Sequence, residues 1–115
     1  MSDVLNVSLH AGFVEGPFFY VTGKHRGTNH FIDSAQEFLG LSDGLTKDLT
    51  DWDDEYQSYY NPDVPQDSGF PSVEIERAWV ERGRELAARI KRESPMDITV
   101  HYQANGSMER GECVF

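Results

Sequence analysis

The sequence predicts an α+β fold: an antiparallel sheet of about four to five strands, drawn from both ends of the chain, packed against two long helices at about 43–60 and 73–93. Three observations point there. Apolar residues alternate near both termini, two long central stretches repeat at the helical period, and glycine and proline fall between these stretches. At 115 residues the chain has the size of a single domain, 1–115, with one core.

Residues 4–10 alternate Val4, Asn6 and Ser8 with Leu5, Val7 and Leu9, the pattern of a half-buried strand. Gly12, Gly16 and Pro17 supply a hairpin connection to a second strand, Phe18 to Thr22, rich in aromatic and β-branched residues. One of Phe18, Phe19 and Tyr20 must then point away from a one-sided core. Gly23 to Asn29 reads as a polar loop and His30-Phe31-Ile32 as a short third strand. Asp33, with Gln36 three residues on, opens a helix of one or two turns that Gly40 closes. Ser42 caps the first long helix, Asp43 suits its dipole, and Asn61-Pro62 ends it. Residues 61–71 form a loop with three of the five prolines, after which Ser72 caps a helix from Val73 to about Glu93. Its apolar stripe is Ile75, Trp79, Leu86 and Ile90. Gly83 lies on the same face at a cost of ~1 kcal/mol against alanine, which predicts close approach of another backbone. Glu81 with Arg84, and Glu85 with Arg89, read as exposed pairs along this helix. Pro95 stops it. Asp97 to Gln103 alternates as a strand, Asn105-Gly106 signals a turn, and Glu112 to Phe115 returns as an edge strand.

Twenty acids against ten bases give a formal charge of -10, unevenly spread: residues 41–70 hold eight acids and one lysine. Such a field repels nucleic acid and anionic membrane and attracts a basic protein. No stretch approaches the roughly 18 apolar residues of a membrane span, and the first ten residues lack the pattern of a secretory signal. Cys113 is alone, so no internal disulfide forms, and a reduced compartment, the cytoplasm, is expected.

The first long helix concentrates this charge. Leu45, Leu49, Trp52, Tyr56 and Tyr59 share one face; Asp48, Asp51 and Glu55 form an i, i+3, i+7 row on its flank, with Asp54 adjoining. Like charges so placed cost an isolated helix a few tenths of a kcal/mol per pair. The row is open to two readings: a solvated face, or a docking face for arginines and lysines of a partner. Asp63 and Asp67 in the following loop extend it, and Tyr60 beside it is a candidate aromatic anchor. A calcium loop beginning at Asp51 fails, because its sixth position is Tyr56 and its twelfth Pro62. No metal site, cofactor motif, phosphate loop or nucleophile elbow is present, so none is expected to act. An alternative is a small enzyme or ligand-binding domain using His25, His30 and His101, in which paired imidazoles would exchange protons with a substrate.

Leu45, Leu49, Trp52, Glu55-Tyr56, then Ser68 to Ser72, then Gly83 with Leu86-Ala87, resemble small acidic bacterial proteins of the immunity type, which guard bacteria against polymorphic and contact-dependent toxins. The resemblance covers residues 41–93. It implies a non-catalytic protein that neutralises a toxin, and many such toxins are nucleases and therefore basic. In that setting Asp48, Asp51, Asp54 and Glu55, joined by Tyr60, Asp63 and Asp67, would stand in for nucleic-acid phosphates against the toxin's cationic surface.

Overall fold

A computed structural model describes residues 5–13, 15–21, 28–61, 63–64, 69–108 and 112–115. Strand alternation near the N-terminus gives β1 (Leu5–His10) and β2 (Phe18–Val21), followed by β3 (Thr28–His30). Three helices follow, α1 (Ile32–Leu39), α2 (Asp43–Ser58) and α3 (Val73–Glu93), before β4 (Ile98–Ala104) closes the sheet. The sheet order is β3-β2-β1-β4. β2 pairs antiparallel with both β1 and β3, as expected for an antiparallel sheet, whereas β4 departs from that expectation and lies parallel to β1. That one parallel pairing follows from the route: the chain crosses the helical layer between β3 and β4 and re-enters the sheet beside its first strand. The expected C-terminal edge strand is present in short form. Phe115 and Val100 exchange two backbone hydrogen bonds, and Tyr102 N–H donates to the Cys113 carbonyl.

Alternation decides what each strand buries. Val7, Leu9, Phe18, Ile98, Val100 and Tyr102 face the helices, and Leu39, Leu45, Leu49, Trp52, Trp79 and Ile90 meet them. Full burial of such side chains contributes roughly 1.5–3 kcal/mol each. Phe19, opposite Ser8 in register, takes the other face, as a run of three aromatics requires. At the centre, the rings of Trp52 and Trp79 stack with centroids 4.4 Å apart. Each indole N–H donates to the other residue's carbonyl, at 3.0 and 2.9 Å, so both polar tips are satisfied inside the core. Gly83 is the glycine this arrangement requires. A Cβ there would collide with the Tyr102 hydroxyl and lie 2.7 Å from the Trp52 ring. The approaching groups are these two side chains, not the backbone the sequence suggested.

Two boundaries differ from expectation. The third strand ends at His30, and α1 begins at Ile32 rather than after an Asp33 cap. Ile32, Ala35 and Leu39, at i, i+3 and i+7, bury one face, and that gain outweighs the better cap. Asn29 fixes the junction by bonding the backbone N–H and carbonyl of Gly16. The stripe of α3 begins at Trp79, because Ile75 is exposed.

Candidate functional site

The acidic row is built by α2. Ser42 starts that helix, accepting a hydrogen bond from Leu45 N–H, and buried Leu45, Leu49, Trp52 and Tyr56 fix its orientation on the core. With that stripe inward, Asp48, Asp51 and Glu55 line one side of a groove of about 430 Å³ between α2 and α3, with Arg82, Glu85, Leu86 and Arg89 opposite. The predicted row is therefore real as geometry.

Its electrostatics differ from the sequence reading. Arg89 donates to Asp48 at 2.6 Å, and also to Glu93 at 2.9 Å. Arg82 donates to Glu55, which also accepts from the Tyr59 hydroxyl at 3.2 Å. Lys47 pairs with Asp51 at 2.8 Å. The expected Glu85–Arg89 pair is not formed, because Arg89 reaches across to α2 instead; Glu81–Arg84 is present at 3.4 Å. The two cross-helix rungs are spaced by seven residues on both helices. That shared spacing, Asp48/Glu55 and Arg82/Arg89, is the signal by which the sequence could have revealed the pairing. Glu93 completes the upper end: a bond from Ser42 and then one from Arg89 hold its carboxyl below the usual range. The Asp48 carboxylate correspondingly raises the Arg89 guanidinium.

The other predicted residues are placed unequally. Asp54 is exposed and makes no ion pair among the described residues. Tyr60 is half-buried at the end of α2, 5.2 Å from the Phe13 ring, so the ring proposed from the sequence as an anchor is partly covered rather than free. Asp63 is exposed in a turn where Asn61 Oδ1 accepts from its N–H. Asp67 lies outside the described residues. On the far side of α2, burial pushes the Asp53 carboxyl up to about 6, against a bond from Gln57, whose amide also donates to the Gly12 carbonyl.

The structure does not bring His30 and His101 of the alternative together. His30 and His101 sit on strands at opposite ends of the order β3-β2-β1-β4. His30, opposite Phe18, stacks on Tyr20 at 4.0 Å, whereas His101, opposite Ser8, lies on the other face with Nε2 3.2 Å from Asn6 Oδ1. His25 lies outside the described residues. Among the described residues no three His, Cys, Asp or Glu side chains are grouped to hold a metal ion, and no helix is long and apolar enough to cross a membrane.

Residues 6–105 match the family model described as Serratia CdiI immunity protein-like. Among curated proteins, none matches the chain.

Proposed function

The chain belongs to the Serratia CdiI immunity protein-like family, and from that premise we propose that it is a non-catalytic cytoplasmic protein that neutralises a basic toxin, of which a nuclease is the simplest case, through the acidic face of α2. The proposed contact residues are Asp48, Asp51, Asp54 and Glu55, with Tyr60, Asp63 and Asp67 at the end of the same helix and in the loop beyond.

The observation that carries this reading is the alignment of Asp48, Asp51 and Glu55 along one groove wall, open to solvent. Their internal partners do not disqualify them. Exposed ion pairs contribute only ~0–1 kcal/mol, and a carboxylate has about four acceptor sites. Arg89 engages one oxygen of Asp48, so an incoming guanidinium can add to the pair or exchange with it. The cross-helix rungs also hold two of the carboxylates in place, which lowers the ordering cost on binding. An acidic surface of this kind steers a cationic partner, with association rates reaching ~10⁸ M⁻¹s⁻¹ or more at low salt.

The test is charge reversal at two exposed positions, Asp51→Lys with Asp54→Lys. Association with the toxin domain that this chain is proposed to neutralise should slow tenfold or more, while the thermal midpoint moves by no more than about 2 °C. Unchanged association kinetics would remove α2 as the docking face.

A further inference from the structure

Two phenylalanines, seven residues apart, bracket α1 and are left in solvent: Phe31 is 66% exposed and Phe38 48%. Phe31 is the residue least explained by folding. It occupies the N-cap with extended backbone angles, φ -77 and ψ 161, and its side chain makes no capping bond. Serine, threonine, asparagine or aspartate is preferred there because a side-chain oxygen can accept from the free N–H groups of the first turn. Phe31 thus forgoes a cap without gaining burial.

Phe38 follows two turns later on the same side of the helix. Its ring meets Tyr20 edge-on at 5.0 Å, and Tyr20 stacks on His30 at 4.0 Å. Tyr20 is only 8% exposed, and its hydroxyl has no hydrogen-bond partner among the described residues. Native structures rarely leave a buried hydroxyl unpaired. Burial pushes its pKa up to about 12, so it stays a neutral O–H with an unused donor beneath the aromatic surface. Asp33 and Glu37, both exposed and one turn apart, lie on the outward side of α1, about 100–160° around the helix from the phenylalanines, and α1 contains no basic residue.

We infer that this face of α1 is a second docking surface for the toxin, fitting an apolar surface of that protein rimmed by lysine or arginine. The inference rests on the immunity reading for the identity of the partner, but on different residues from the α2 row. Aromatic side chains are favoured as interface anchors, and the two exposed carboxylates on the adjoining outward side of the same helix, with no base among them, supply complementarity to a basic protein.

The experiment measures the dissociation constant between the full chain and the purified toxin domain it is proposed to neutralise. Phe31→Ser restores a capping residue, so its thermal midpoint should rise by a few degrees while Kd weakens tenfold or more. Loss of binding together with a gain in stability cannot come from misfolding. Phe38→Ser should weaken binding similarly, and Glu37→Lys, which leaves both rings in place, should weaken it several-fold. Wild-type Kd in both phenylalanine variants overturns this surface alone, leaving the α2 face to the charge-reversal test. Weakening in the phenylalanine variants but not in Asp51→Lys/Asp54→Lys supports this surface and removes the other. No binding by the wild-type chain overturns both.

Discussion

Gly83 is bare because two larger groups already fill the space beside it. Replacing it with alanine sets two effects against each other. The helix gains ~1 kcal/mol of propensity, whereas forcing a methyl against Trp52 and the Tyr102 hydroxyl costs about 1–3 kcal/mol and strains the bond from Tyr102 to the Val80 carbonyl. Packing should win, so Gly83→Ala is expected to lower the stability read from urea unfolding by a net ~1 kcal/mol. Asp53 offers a second residue-scale test. Its folded pKa of about 6 lies above the ordinary carboxylate value, with burial as the main cause. The folded state therefore holds a proton that the unfolded state releases, and stability falls as pH rises from about 4 through 6. Asp53→Asn should flatten that slope and add on the order of 1 kcal/mol at pH 7, after allowance for solvent screening. A slope unchanged in the variant, measured by urea titration across that window, would remove Asp53 as its source. The sequence announced the close approach at Gly83 through an unlikely residue on an apolar stripe. It could not announce Asp53, whose partner Gln57 also bonds the Gly12 carbonyl, 45 residues from it in sequence.

At the scale of elements, α2 and α3 were readable because each carries its own start signal: Ser42 and Ser72 accept from Leu45 and Ile75 N–H groups, as capping predicts. The start of α1 was not, since Phe31 is the wrong residue for the place it occupies. Nor was the β1–β4 pairing direction, which depends on how the intervening helices route the chain. The arginines of α3 illustrate the same limit. Spacing along one helix suggests Glu85 for Arg89, yet the packed neighbour supplies Asp48. Because Arg89 is 29% exposed and Asp48 50%, the pair belongs to the weak, screened class. A double-mutant cycle on Asp48→Ala and Arg89→Ala should give a coupling of ~0.5–1 kcal/mol at low salt, shrinking as salt rises. A coupling above about 2 kcal/mol would mean that the rung is structural rather than surface decoration.

For the molecule as a whole, composition disclosed the charge but not how it is spent. Asp48, Asp51 and Glu55 all have cationic neighbours from the chain itself, so the surface field at α2 is weaker than its count of acids suggests. Long-range attraction should still follow the total of -10. Toxin association is accordingly expected to slow at least several-fold between ~0.05 and ~0.5 M salt, with the dissociation rate changing less. Stopped-flow measurement at these two salts decides it: a salt-independent association rate would exclude electrostatic steering.

The chain's two tryptophans are the pair stacked at its centre, far from any face it offers. Indoles that close share their excited states, so the near-ultraviolet circular dichroism should carry a strong signal that disappears when the two rings separate. The protein therefore contains a built-in optical gauge of its interior: surface variants should leave that spectrum intact, and a variant that alters it has disturbed the core as well as the surface.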